Sequence, residues 1–122
     1  MKKANELLYL IENDSVFNNL NGLIATINTA RSNNNIKKLI LLNKNISSVS
    51  SVISNKISEW SKDSVNDFRI ASLLIILSDL CCSEDALILS RRLCSIPHLD
   101  ITRLIAISIL IKESLYGSRS AK

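Results

Sequence analysis

The sequence predicts an all-α protein, and three observations support that fold class. Hydrophobic residues make up 47% of the 122 residues but aromatic residues only 4%, so Leu, Ile and Val must form the core. Two Gly and one Pro are too few for the closely spaced turns of a multistranded sheet. Apolar residues recur at intervals of three and four, the period of an amphipathic helix. We expect about seven helices in one domain over residues 1–117 and a frayed tail at 118–122.

Four helices are predicted in the first half of the chain. They cover about 5–12, 16–30, 36–42 and 46–60, and the side-chain oxygen of Ser15 can cap the second. The second helix also shows the most regular apolar spacing, which predicts a single stripe facing the core. The stripe consists of Val16, Leu20, Leu23, Ile24, Ile27 and Ala30.

Three more helices are predicted in the second half. The first extends to about Cys82 and is apolar nearly all round, which predicts a central, buried position. The next begins at Ser83, has acidic residues in its first turn where they complement the helix dipole, and ends at Pro97. The last is expected to be capped by Asp100 and to end at Gly117.

Two stretches of the sequence look alike. Segments 65–71 and 99–106 each open a very apolar helix that follows a more amphipathic one, and their arginines, Arg69 and Arg103, lie 34 positions apart. This layout is typical of stacked antiparallel helix pairs.

The helix at Glu84 and Asp85, the turn at Pro97, and then Asp100 and Arg103 resemble a HEAT-type repeat. The stretch 49–75 resembles a second copy. A HEAT-like or armadillo-like resemblance implies a right-handed superhelix, and an irregular helical bundle is the alternative. In the HEAT family the corresponding Asp and Arg brace the turns of neighbouring repeats. The resemblance therefore implies structural roles for Arg69, Asp100 and Arg103.

The sequence gives little support for a catalytic site or a metal site. His98 is the only histidine and follows Pro97 in a turn, so an exposed turn histidine is a simpler interpretation than a general base. Cys81, Cys82, Cys94 and His98 could supply four zinc ligands, but adjacent helical cysteines point roughly 100° apart. No nucleotide-binding or zinc-protease motif is present. We expect no enzyme activity, no catalytic residue, no metal and no cofactor.

Charge is segregated along the chain. Residues 31–62 carry six basic side chains and one acidic side chain, a net charge of +5, whereas residues 63–100 carry six acidic and three basic, a net charge of −3. Such regions can steer a partner into register. The candidate partner contacts are Arg31, Lys37, Lys38, Lys44, Lys56, Lys62, Glu84, Asp85, Arg91 and Arg92.

These observations favour a non-enzymatic protein-binding module that has no small-molecule substrate. No export signal is expected, no apolar run reaches the ~20 residues of a membrane span, and the odd number of cysteines fits a reducing cytoplasm. In its small size and helical character the chain resembles helical immunity proteins, which are small bacterial antitoxin proteins that neutralise a toxin. The alternative is a nucleic-acid-binding accessory protein that uses the basic 31–62 region, although that region has no aromatic side chain other than Trp60.

Overall fold

The computed structural model describes residues 2–28, 46–81 and 83–117. These ranges are helical and contain no strand, so the predicted all-α class is confirmed, and six helices within them fit the expected number of about seven. The predicted helix at 36–42 and the tail at 118–122 lie outside the described residues. The helices are α1 (Lys2–Asn13), α2 (Leu20–Ile27), α3 (Ile46–Trp60), α4 (Asp67–Ile76), α5 (Ser83–Leu93) and α6 (Asp100–Lys112).

The predicted second helix is divided into two elements. A 3-10 turn at Ser15–Asn18 precedes α2, and the backbone is extended at Asn19 between them. The side chain of Asp14 accepts a hydrogen bond from the Val16 backbone N–H at 3.0 Å. The Asn19 side chain caps α2 by accepting from the Gly22 N–H at 3.3 Å. The expected cap at Ser15 is therefore wrong, because the chain leaves the helical conformation after the 3-10 turn.

Gly22 allows the 3-10 turn to fold back against α2. A Cβ atom at this position would lie 2.0 Å from the Val16 carbonyl oxygen and 2.7 Å from the Phe17 Cα. Both neighbours are backbone atoms, so no side-chain rotation could relieve the contact. The close approach places the Phe17 ring, which is fully buried, in the core beside α4.

Helix α4 is the centre of the fold. Every residue from Ile70 to Leu77 is buried, and the helix packs against both α2 and α6. It continues into a π-helical turn at Leu77–Cys81. The predicted central position of this helix is confirmed. The main core cluster joins α4 to the other helices and includes Leu8, Ile11, Phe17, Ile53, Ile57, Trp60, Ile70, Leu73, Leu74, Ile76, Leu77, Ala86, Leu89, Leu93, Leu99 and Ala106.

Helix α6 is capped by a residue of α4. The two carboxylate oxygens of Asp67 accept hydrogen bonds from the Ile101 N–H at 2.9 Å and the Thr102 N–H at 2.7 Å. The Thr102 hydroxyl in turn donates to the Asp67 carbonyl oxygen at 2.9 Å. The expected cap at Asp100 is wrong, because Asp100 is the first residue of α6 and the preceding Leu99 makes no side-chain cap. The N-termini of α4 and α6 therefore lie at the same end of the molecule.

Candidate protein-binding surface

A cleft opens where the C-terminal halves of α4 and α6 meet the end of α2. Its volume is about 230 Å³. The apolar part of the lining comes from all three helices, with Ile27 on α2, Ile75 on α4, and Ile105 and Ile109 on α6. Because Asp67 joins the N-terminal ends of α4 and α6, the cleft lies at the opposite end of this helix pair.

Polar side chains complete the lining of the cleft. Ser78 and Asp79 belong to the π-helical turn that follows α4, and Ser108 and Lys112 belong to α6. Asp79 and Lys112 are exposed, so both charges remain hydrated when no partner is present. π-Helical turns are uncommon and often occur at functional sites. The cleft therefore combines an apolar interior with one acidic and one basic group.

An exposed apolar stripe on α2 adjoins the cleft. Leu20, Ile24 and Ile27, which follow at intervals of four and three, are about half exposed. We call these three residues the α2 stripe. The predicted burial of the whole apolar side of this helix is therefore wrong, because the face of α2 that contacts the core consists of Gly22, Leu23 and Thr26.

Helix α6 has a second exposed apolar surface. Three of its residues, Leu104, Ile107 and Ile111, together with Leu115 of the π-helical turn that follows at Glu113–Gly117, are spaced at intervals of three and four and are between 42% and 64% exposed. We call these four residues the α6 ridge. The ridge lies on the side of α6 that is opposite to the buried face at Thr102 and Ala106. Contiguous exposed apolar surfaces of this kind commonly mark interaction sites.

The periodicity and charge pattern of the sequence predict neither the cleft nor the α6 ridge. A signal was nevertheless present, because α6 is apolar on nearly all sides, as α4 is. Two such helices cannot both be central in a small domain, since one of them must lie at its edge and expose an apolar face.

The predicted basic contacts are only partly within the described residues. Arg31, Lys37, Lys38 and Lys44 lie outside them. Lys56 is half-buried, forms an ion pair with Glu59 at 3.1 Å and lies 5.8 Å from the centre of the Trp60 ring. Lys62 is exposed. Because Lys56 already has an acidic partner, the described part of the basic region does not form a concentrated basic patch.

The remaining predicted contacts lie on α5. Glu84 and Asp85 are in its first turn, and Arg91 and Arg92 are in its last turn. Arg91, Arg92 and Glu84 are exposed, whereas Asp85 is half-buried. The acidic and basic pairs are therefore at opposite ends of one helix and do not form one site. Their role in binding stays a prediction.

The residues expected to brace the turns have local contacts. Arg69 donates from Nη1 to the Asn66 Oδ1 at 3.2 Å, and Asn66 donates from Nδ2 to the Trp60 carbonyl oxygen at 3.3 Å. Asp100 is exposed and Arg103 is half-buried on α6. Asp67, the first residue of α4 and two positions before Arg69, makes the hydrogen bonds that join α4 to α6.

His98 connects two turns that are distant in the sequence. Its Nε2 lies 2.7 Å from the carbonyl oxygen of Ser61, between the turn after α5 and the turn after α3. The Cys94 thiol donates to the Arg91 carbonyl oxygen of its own helix end. Within the described ranges, no group of three or more His, Cys, Asp or Glu side chains could hold a metal ion.

The described helices do not have the combination of length and apolarity that is needed to span a membrane. Comparisons with models of protein families, with curated proteins and with solved structures found no match to this chain.

Proposed function

We propose that this chain is a non-enzymatic protein-binding module that receives its partner in the cleft between α2, α4 and α6. The observation that carries the proposal is the position of the cleft beside the exposed α2 stripe. Together they form an apolar surface, and the charged side chains of Asp79 and Lys112 also line the cleft. Apolar anchors combined with flanking charges are typical of protein recognition sites.

The dimensions of the cleft suit side chains of a partner protein. Its volume of about 230 Å³ is below the range of roughly 300–1,000 Å³ that is usual for small-molecule pockets. One or two aliphatic side chains would fill it. The best fit is an amphipathic helix that inserts such anchors, a mode of recognition that reads residues at helical spacing.

Charge would orient the partner in the cleft. Asp79 on the π-helical turn would face a basic group of the partner, and Lys112 on α6 would face an acidic group. Charged pairs at the edge of an interface contribute more to orientation and association rate than to affinity. The aliphatic anchors therefore supply most of the binding free energy, and the two charges select the direction of the partner helix.

The arrangement of helices supports a HEAT-like superhelix as the finer description of the fold. Helix α4 lies between α2 and α6, α5 packs on α6, and α4 and α6 begin at the same end of the molecule. Superhelices of stacked helix pairs expose extended surfaces for partner proteins. The irregular helical bundle is the competing description.

The narrower proposal is a cytoplasmic immunity or antitoxin protein that neutralises a toxin by occupying it. Small size, an all-helical fold and a cleft with charged side chains support this role. Nucleic-acid binding through residues 31–62 remains the alternative prediction. The apolar lining of the cleft and the exposed α2 stripe beside it favour the protein-binding proposal.

Affinity capture from the native lysate tests the proposal with two matched variants. Ile27→Glu places a charge in the cleft wall, and Val65→Glu places the same charge on another exposed apolar residue, in the 3-10 turn that precedes α4 at its other end. We expect wild type and Val65→Glu to retain the same stoichiometric protein, which Ile27→Glu loses. If the captured protein inhibits growth when it is expressed alone, and co-expression of this chain restores growth, the immunity role is supported.

Three results would contradict the proposal. The first is that no protein is retained by the wild type. The second is equal retention of the same protein by both variants, which would place the contact away from the cleft. The third is retention of nucleic acid with an affinity that falls steeply as salt rises, which is the behaviour of phosphate-binding proteins.

A further inference from the structure

Helix α6 forms one wall of the cleft through Ile105, Ser108, Ile109 and Lys112. We propose that the second half of this helix, residues 107–112, pivots outward about a fixed first half, so that the cleft alternates between a narrow and a wide form. Entry of a partner into the wide form rests on the proposed function. The pivoting itself is a property of the free chain.

Burial differs sharply between the two halves of α6. Its first half contains both of its buried residues, Thr102 and Ala106. From residue 107 to residue 112 no side chain is buried, and four of the six are exposed. Helix α4 shows no such gradient, since every residue from Ile70 to Ile76 is buried. Segments with few buried apolar contacts are those that open locally at the lowest free energy.

Hydrogen bonds hold α6 to α4 at one end only. The Asp67 carboxylate accepts from the Ile101 and Thr102 N–H groups, and the Thr102 hydroxyl donates to the Asp67 carbonyl oxygen. Among the described residues α6 makes no other hydrogen bond to α4, and the Ser108 hydroxyl donates to the Ile105 carbonyl oxygen of its own helix. Asp67 therefore provides a fixed point about which the rest of α6 can turn.

The contact across the cleft is apolar and can be separated and re-formed. Ile105 and Ile109 are half-buried against the core clusters, and hydrophobic contacts have no preferred direction. Asp79 and Lys112 carry opposite charges, yet within the described residues they form no ion pair with each other. Widening the cleft therefore breaks neither a hydrogen bond nor an ion pair between these two walls.

The outer side of the moving half faces solvent. Ile107 is 42% exposed and Ile111 is 53% exposed, so no described helix covers this side of α6. Outward movement of residues 107–112 consequently meets no obstacle in the described part of the fold. The main resistance comes from the half-buried Ile109, which would lose its apolar contacts in the wide form.

Relaxation dispersion of the backbone amide nitrogens in the free full chain tests the motion. We expect the wide form to be a minor state of roughly 1–10%, in exchange with the narrow form on the microsecond to millisecond timescale. Dispersion should appear at residues 107–112 and at Ser78 and Asp79 of the facing wall. Residues 101–106, which belong to the fixed half, should show none.

Two matched variants test the role of the apolar contact. Ile109→Ala removes an aliphatic side chain that faces the cleft and should raise the population of the wide form about fivefold. Ile107→Ala removes the same side chain from the exposed side of the same half-helix and should leave that population unchanged. A circular dichroism spectrum of each variant checks that it folds. Equal populations in the two variants would contradict an opening of the cleft.

A second pair of variants tests the fixed point. Asp67→Asn keeps one carbonyl acceptor and loses the other carboxylate oxygen, so dispersion should spread to residues 101–106. Asp100→Asn makes the same change at an acidic residue that caps no N–H and should keep the wild-type pattern.

Three results would overturn the pivot. These are flat dispersion throughout α6, exchange that is equal along the whole helix in wild type, and motion of residues 107–112 on the picosecond to nanosecond timescale alone, which is fraying. All of these measurements use the free chain, so a failure to capture a partner protein would leave them unaffected.

Discussion

Helices α4 and α6 have similar sequences and very different surroundings. Both are apolar on nearly all sides, both end in a π-helical turn, and their arginines are 34 positions apart. Residues 70–76 of α4 are buried without exception, whereas α6 exposes the large aliphatic side chains of Leu104, Ile107 and Ile111. Side chains of the kind that α4 buries in the core are therefore exposed on α6.

The difference shows what a hydrophobic pattern alone can establish. Alternation of apolar residues at intervals of three and four specifies a helix and the width of its apolar face. It does not specify which other helix covers that face. Helices α2, α5 and α6 pack against α4 and bury its apolar faces. Turns, helix caps and the hydrogen bonds from Asp67 to α6 bring these helices together.

Truncation of equivalent residues on the two helices provides the largest test of this difference. Leu73→Ala on α4 removes a fully buried side chain and should lower the free energy of unfolding by about 2–5 kcal/mol. Ile107→Ala on α6 removes a side chain that is 42% exposed and should change it by only ~0.5 kcal/mol. Urea unfolding followed by circular dichroism measures both. Equal losses would show that the ridge is part of the core.

The sequence predicted much of the fold. The all-α class, the approximate number of helices and the central position of α4 followed from periodicity, from the scarcity of Gly and Pro, and from the apolar run at 70–77. It did not predict the break at Asn19, because Val16 and Leu20 keep helical spacing on both sides of an extended residue. The cap from Asp67 was also missed, since a hydrogen bond between residues 34 positions apart has no local signature.

The candidate site was much less predictable than the fold. Charge segregation drew attention to residues 31–62 and to the ends of α5, which the described structure does not gather into one surface. The cleft is formed by Ile27, Asp79 and Lys112, which come from three separate parts of the chain. Their proximity is a result of tertiary packing, and only the uniform apolarity of α6 indicated that an apolar surface would be exposed.

Gly22 provides the next test, because it controls how closely the 3-10 turn approaches α2. Gly22→Ala would place a Cβ atom 2.0 Å from the Val16 carbonyl oxygen and displace the turn that positions Phe17 beside α4. We expect a loss of about 1–3 kcal/mol, as for other overpacked sites. The neighbouring exposed Asn21→Ala is the matched control and should be neutral or slightly stabilising, since Ala favours helices. If Gly22→Ala proved as stable as this control in urea unfolding, the close approach would be contradicted.

The link between α4 and α6 should have an intermediate effect. Asp67→Ala removes the acceptor for the Ile101 and Thr102 N–H groups, and loss of such a cap typically costs about 1–2 kcal/mol. Asp100→Ala is the control, because Asp100 is also acidic and in a first helical turn but caps no N–H. Its loss should be ~0.5 kcal/mol from the helix dipole alone. Urea unfolding of both variants should separate them, and equal losses would show that the inter-helix bonds contribute nothing beyond the dipole.

The smallest expected effect is at His98, which holds the turn before α6 to the turn before α4. His98→Ala removes the contact between Nε2 and the Ser61 carbonyl oxygen at 2.7 Å. Because the imidazole is exposed and water can replace it, the loss should be about 0.5–1 kcal/mol. Ser95→Ala, which removes an exposed bond to Arg92 within the same turn, is the control and should change stability less. A larger loss at Ser95 than at His98 would mean that local turn bonds, and not the connection between the two turns, fix where α6 begins.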